Sequence, residues 1–75
     1  MQQAITALSH QPIMSIAVAA PVGGLYDYLA GPAEGAVRGS LVMVPFGGRQ
    51  LPGIVMGPAK GHFPPAKLRE VALVI

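Results

Sequence analysis

The residues best suited to chemistry lie in two motifs about fifteen residues apart in this chain of 75 residues. The first motif spans residues 26 to 29 with the sequence YDYL, and the second spans residues 41 to 49 with the sequence LVMVPFGGR. Asp27 is the one aspartate among three acids, and it lies between two of the four aromatic residues. A carboxylate accepts hydrogen bonds, and an aromatic ring offers a flat face for stacking. The combination predicts a recognition group.

Residues for catalysis are missing from the sequence. Catalysis generally needs paired carboxylates, or a nucleophile beside a base. The remaining acids are Glu34, in a turn rich in Gly and Pro, and Glu70. His10 and His62 stand far apart in a chain without cysteine, so they do not compose a metal site of recognisable spacing. Phosphate-loop and dinucleotide signatures are absent. We therefore expect no catalytic residue, metal site or cofactor in this segment.

The charge is distributed unevenly along the chain. Residues 38 to 69 contain five basic residues and no acid, whereas the whole chain has a net charge of only +2. The basic residues are Arg38, Arg49, Lys60, Lys67 and Arg69. Such a segment indicates a surface that faces a polyanion, most simply a nucleic acid. The alternative is a solvated surface that only keeps the protein in solution.

The length of the chain allows one small domain with a marginal core. Because cysteine is absent, no disulfide can reinforce that core, and we expect docking against more protein instead. No apolar run approaches the ~20 residues that span a bilayer. Residues 13 to 20 resemble the core of a secretory signal, but no Lys or Arg precedes them and Pro21 follows them. A cytoplasmic location is therefore expected.

Five short runs rich in Val, Ile, Leu or Tyr, each bounded by Gly or Pro, have strand character. They are Ser15 to Ala19, Leu25 to Leu29, Ser40 to Phe46, Gly53 to Gly57 and Glu70 to Ile75. Helix is limited to a turn at Pro65 to Arg69. The sequence predicts an all-β fold, a small antiparallel β-barrel-like domain over residues 13 to 75, after a flexible leader over residues 1 to 12. Gly47 and Gly48 predict a hairpin between the third and fourth strands.

The predicted strands are apolar on both faces. By alternation, Leu41 and Met43 lie on one face of the third strand, and Val42 and Val44 lie on the other. A five-strand unit has one interior, so part of this apolar surface is expected to be exposed, and such surfaces usually mark interfaces. We expect the chain to be a piece of something larger or an oligomer subunit.

Four motifs follow one another in the order and at the spacing of a known family. They are Ala20-Pro21-Val22, Tyr26-Asp27-Tyr28-Leu29, Gly39 to Arg49, and Gly53-Ile54-Val55. Together they resemble the amino-terminal domain of primosomal protein N′, the bacterial replication-restart helicase PriA. The resemblance covers about residues 13 to 75. It implies a non-catalytic domain that recognises the 3′ end of a nascent DNA strand at arrested replication forks.

The resemblance also implies a pocket for the 3′-terminal nucleotide. The residues implied are Tyr26, Asp27, Gly47 and Arg69, with Arg49 and Lys67 as phosphate contacts. Tyr26 stands where a family member has Phe, and Arg69 stands where it has Lys. A carboxylate at Asp27 accepts hydrogen bonds from a base or a free 3′ hydroxyl and repels a terminal phosphate.

The resemblance further implies that the parent protein is an ATP-dependent 3′–5′ DNA helicase, with a winged-helix domain and with ATP, Mg²⁺ and zinc held outside this segment. The partners implied are forked DNA with a free 3′ end, the remainder of the helicase chain, other primosome proteins and single-strand-binding protein, without a membrane, in the cytoplasm near the nucleoid. Two other functions stay open from the residues alone. One is a protein-interaction β-barrel that docks a partner through its two-sided apolar strands, and the other is a small RNA-binding barrel.

Overall fold

The computed structural model describes residues 12–21, 23–59 and 68–75. The strands are β1 (Ile13–Val18), β2 (Leu25–Leu29), β3 (Leu41–Phe46), β4 (Arg49–Pro58) and β5 (Leu73–Val74). The helix in these residues is a single 3-10 turn, Gly31–Ala33, with a proline in its first turn. The predicted all-β fold of five short strands with little helix is confirmed.

The strands form one antiparallel sheet in the order β2-β1-β4-β3-β5. The edge strands β2 and β5 do not pair with each other in the described part of the chain, so the sheet stays open. Leu29 at the end of β2 nevertheless forms an isolated parallel bridge with Glu70, which precedes β5 in the chain. The sheet therefore curls strongly without closing, and the predicted barrel-like shape holds only in this loose sense.

The β3–β4 hairpin has the local chemistry that its two glycines predict. Gly47 has a φ of 56° and Gly48 a φ of 81°, and Phe46 pairs with Arg49 on either side of them. Two central residues with positive φ suit a two-residue turn whose twist matches that of the strands. The predicted hairpin is confirmed.

The core lies on the concave side of the curled sheet. Its fully buried large side chains are Ile16, Val42, Val44, Val55 and Val71. Alternation along β1, β3 and β4 brings the first four to one face, because every second side chain of a strand points the same way, and Val71 joins them from the segment between the Glu70 bridge and β5. The 3-10 turn adds Ala33, which is also buried, and so covers one end of the core.

The opposite face carries an apolar row that crosses four paired strands. Leu25 pairs with Ala17, Ala17 with Ile54, and Ile54 with Leu41. The amide of Ile75 donates to the carbonyl oxygen of Leu41 at 2.9 Å and extends the row to the other edge. Leu25 is 60% exposed and Ile75 is 66% exposed. The expected exposed apolar surface is therefore present on this face.

The strand bounds differ from the predicted ones by one or two residues in β1 and β3 and by more in β4 and β5, while those of β2 agree. β4 begins at Arg49 instead of Gly53, because the tight turn leads directly into pairing. β5 is reduced to Leu73–Val74, because Glu70 bridges to the other edge of the sheet and the chain crosses between the two edges. The predicted turn at Pro65 to Arg69 and the predicted leader lie largely outside the described residues.

Candidate nucleic-acid interface

Strand β2 positions three adjacent side chains on two sides of the sheet. Tyr26 and Tyr28 share the core side by alternation, and Asp27 pairs with Ser15 on the outer side. Tyr28 is only 5% exposed, and its hydroxyl donates to the carbonyl oxygen of Pro45 at 2.7 Å. This hydrogen bond joins β2 to the end of β3, although two strands separate them in the sheet.

An aromatic contact makes the same junction beside the hairpin. The ring centroids of Tyr26 and Phe46 are 5.0 Å apart, and the ring planes are inclined by 77°. Edge-to-face pairs of this kind contribute about 0.5–1.5 kcal/mol beyond their buried area. Because Phe46 is followed directly by Gly47, the contact holds the hairpin turn next to β2.

A concave surface of about 420 Å³ opens at this junction, and we call it the terminal site. Its lining residues are Tyr26, Asp27, Tyr28, Pro45, Phe46, Gly47, Leu68 and Arg69. The residues come from β2, from the β3–β4 hairpin and from the segment before the Glu70 bridge. The terminal site therefore lies at the seam where the curled sheet comes closest to closing.

Four residues singled out from the sequence meet in the terminal site: Tyr26, Asp27, Gly47 and Arg69. Arg49 does not line it and is exposed at the start of β4. Lys67, the other expected phosphate contact, lies outside the described residues, as do Lys60 and both histidines.

Sequence reasoning missed other parts of the lining, namely Tyr28, Pro45, Phe46 and Leu68. Tyr28 and Phe46 carried a usable signal, because alternation places each on the core side of its strand. Leu68 had none, since only a long-range contact brings it to the site.

The open edge of β2 gives the terminal site a backbone donor and acceptor. The amide of Leu29 donates to the carbonyl oxygen of Arg69 at 2.8 Å, and the Leu29 carbonyl accepts from the amide of Val71 at 2.9 Å. Both backbone groups of Leu29 thus point away from β1. In an antiparallel pair this direction repeats at every second residue, so the amide and carbonyl of Asp27 point to the same side. No described strand pairs there beyond Leu29.

Opposite charges flank the terminal site. Arg69 lines the site and is exposed, and Asp27 lines it from β2 although alternation assigns its side chain to the outer side of the strand. Burial raises the pKa of Tyr28 above its ordinary value of 10.0, while the nearby Arg69 charge pulls that pKa down and Tyr26 pushes it up. The phenol of Tyr28 therefore stays protonated and remains a hydrogen-bond donor at neutral pH.

Two searches covered the described residues, one for groups of metal ligands and one for helices that could cross a bilayer. Among residues 12–21, 23–59 and 68–75, no three His, Cys, Asp or Glu side chains form a group that could hold a metal ion. Over the same residues, no helix has the length and hydropathy that crossing a bilayer requires.

Comparison with known proteins gives one family. A family model described as the 3′DNA-binding domain (3′BD) of PriA matches residues 15–75. The match contains every element that lines the terminal site. Searches of curated proteins and of solved structures gave no match.

Proposed function

Because the chain belongs to the family of PriA 3′DNA-binding domains, we propose that it recognises the 3′-terminal nucleotide of a nascent strand at arrested replication forks. Membership of the family supports the binding of DNA 3′ ends. We propose in addition that the terminal nucleotide is the part recognised and that the DNA is an arrested fork. The observation that carries it is the convergence of Tyr26, Asp27, Gly47 and Arg69 on one concave surface. These residues come from three separate parts of the chain and bring together an acceptor, a cation, a ring and an open backbone.

The hairpin turn leaves room for a nucleotide. A Cβ atom placed on Gly47 would meet nothing within 4 Å, so the space above this residue is open. A ligand can therefore approach the backbone closely. The rings of Tyr26 and Phe46 stand beside this space, and stacking of a base on an aromatic ring contributes about 1 to 3 kcal/mol in single-strand binders.

Asp27 can contact the terminal nucleotide in two ways. Its amide and carbonyl, at the open edge of β2, offer a donor and an acceptor to the edge of a base. Its carboxylate accepts a hydrogen bond from a free 3′ hydroxyl but repels a 3′ phosphate. Arg69 supplies a charge that attracts the phosphate on the 5′ side of the nucleotide. The site so arranged distinguishes an unblocked 3′ end from a blocked one.

The parent protein provides the context of this binding. We infer that the domain delivers an ATP-dependent 3′–5′ helicase to the fork, for reloading of the replisome during replication restart. ATP, Mg²⁺ and zinc belong to the remainder of that helicase chain. The proposed partners are forked DNA, that remainder, other primosome proteins and single-strand-binding protein in the bacterial cytoplasm.

Fluorescence anisotropy with two labelled single strands, one ending in a 3′ hydroxyl and one in a 3′ phosphate, tests the proposal. Asp27→Ala is expected to weaken binding of the hydroxyl end by about tenfold or more, since hydrogen bonds to charged groups contribute about 1.5–3 kcal/mol. Binding of the phosphate end should change little and should not weaken, because the variant also loses the charge that repels the phosphate. Glu34→Ala is the matched control, because Glu34 is an exposed acid outside the terminal site. Equal losses on both ends would refute end recognition by Asp27.

A further inference from the structure

A second concave surface lies on the other side of β2, and we call it the outer groove. It has a volume of about 510 Å³. Its lining includes Ser15, Leu25, Asp27, Arg38, Met56 and Pro58. Ser15 is paired with Asp27, and Leu25 precedes Asp27 by two residues, so these three share the outer face of the sheet.

Among the residues that the structure describes, Asp27 alone lines both the terminal site and the outer groove. Only the edge strand β2 separates the two surfaces, and the width of a strand is roughly 5 Å. A DNA strand whose 3′-terminal nucleotide occupies the terminal site therefore reaches the outer groove by passing over β2 in the 5′ direction.

The chemistry of the outer groove matches one nucleotide. Arg38 is exposed and supplies a guanidinium, which binds phosphate through paired donors. Ser15 supplies a hydroxyl, and Leu25, Met56 and Pro58 supply apolar surface for a sugar and a base. The volume lies within the range of about 300–1,000 Å³ that is usual for small-ligand sites.

The charges in the outer groove fix the direction in which a nucleotide lies. The Asp27 carboxylate repels phosphate, whereas Arg38 attracts it. The phosphate must therefore lie at the Arg38 end, with the sugar and base nearer to β2.

We propose that the outer groove binds the penultimate nucleotide of a 3′-ended strand, with Arg38 contacting the phosphate on its 5′ side. This inference rests on the proposed function of the terminal site. Arg38 then acts as a second anchor, which adds affinity without reading whether the 3′ end is blocked. A strand of two nucleotides lacks the linkage that Arg38 contacts, so a 3′-ended strand of three nucleotides should bind more tightly.

A thermodynamic cycle between the protein and the DNA tests the contact. The probe is a labelled 3′-hydroxyl single strand, and its partner carries one uncharged methylphosphonate at the second linkage from the 3′ end. Arg38→Ala is expected to weaken binding of the unmodified strand by about five- to tenfold, and to reduce the slope of log affinity against log salt by about one. The methylphosphonate should weaken binding to the unsubstituted protein by a similar factor. The methylphosphonate should hardly weaken binding to Arg38→Ala any further, because the two changes remove the same contact.

Arg49→Ala is the matched control for Arg38→Ala. It removes the same charge from an exposed position that lines neither surface. The methylphosphonate should weaken its binding by the same factor as in the unsubstituted protein. A methylphosphonate loss in Arg38→Ala as large as in Arg49→Ala would overturn the inference.

The 3′-hydroxyl and 3′-phosphate strands used to test the proposed function separate it from this inference. Arg38→Ala should retain the preference for a 3′ hydroxyl over a 3′ phosphate, because the terminal site is intact. If the unsubstituted protein shows no such preference, the proposed function fails. If the preference is present but the losses of affinity from Arg38→Ala and from the methylphosphonate add, only the proposal for the outer groove is refuted.

Discussion

The two glycines of the β3–β4 turn allow a direct test of whether the terminal site binds DNA. Both residues have positive φ, 56° at Gly47 and 81° at Gly48, and a Cβ on either would meet nothing within 4 Å. They differ in one respect, since Gly47 lines the terminal site and Gly48 does not. Gly47→Ala and Gly48→Ala therefore impose similar backbone strain, but only the first places a methyl group where the nucleotide should lie.

The expected effects follow from this geometry. An L-residue in the left-handed region costs about 1–2 kcal/mol, so each variant should lose a similar free energy of unfolding. For a domain of this size the loss corresponds to a fall in Tm of about 4–16 °C. Forcing an extra methyl group into close contact typically costs about 1–3 kcal/mol. Gly47→Ala should therefore bind a 3′-hydroxyl strand about 5- to 150-fold more weakly, while Gly48→Ala binds normally.

The assay combines thermal unfolding with fluorescence anisotropy at a temperature well below both Tm values. Circular dichroism at that temperature establishes that each variant is folded before binding is compared. Equal affinities for the two folded variants would refute the assignment of the terminal site. A loss in Gly48→Ala alone would place the nucleotide on the other side of the turn.

Two further predictions concern the residues that hold the terminal site and the core in place. Tyr28→Phe removes the hydrogen bond to Pro45 and should lower the free energy of unfolding at pH 7 by about 1 kcal/mol. Burial raises the pKa of Tyr28, so the unfolded chain loses this proton before the folded chain does as pH rises above 10.0. The free energy of unfolding of the unsubstituted protein should therefore fall more steeply over that pH range than that of Tyr28→Phe. The same fall for both proteins, measured by urea unfolding at each pH, would contradict the assignment. Gly53→Ala would place its Cβ 2.6 Å from Cγ2 of the fully buried Ile16 and should cost about 1–3 kcal/mol in thermal unfolding. Gly23→Ala, which has nothing within 4 Å, should be nearly neutral, and a similar loss in both would show that contact with Ile16 is not the cause.

Local chemistry made part of the fold predictable. Gly47 and Gly48 adopt the positive φ values that two adjacent glycines between apolar strands indicate, and the hairpin follows from them. The strands β1 to β4 are predictable for a related reason, since Gly or Pro lies at or near both ends of each, whereas β5 has neither beside it. The register shift between β1 and β4 leaves Met56 as the extra residue beside Gly57, whose φ is 142°, but which strand pairs with β4 at this point has no local signal.

The site was less accessible to reasoning from single residues. Alternation correctly places Tyr26 and Tyr28 on one side of β2, but it also places Asp27 on the other, which argues against a common site. The residues of the terminal site meet because the sheet curls until Leu29 reaches Glu70, and a contact between residues so distant in sequence leaves no local pattern. The resemblance to a known family supplied what the local patterns could not.

The curled sheet also explains why the site lies on β2. An edge strand presents unpaired amide and carbonyl groups, and proteins usually cover them. Here the segment 69–71 pairs with Leu29, and Asp27 lines the same concave surface as Tyr26 and Gly47. In the proposed function, a base that pairs with Asp27 would satisfy the donor and acceptor that a neighbouring strand would otherwise satisfy. We therefore propose that the nucleotide binds at the position where the edge of the sheet is left open.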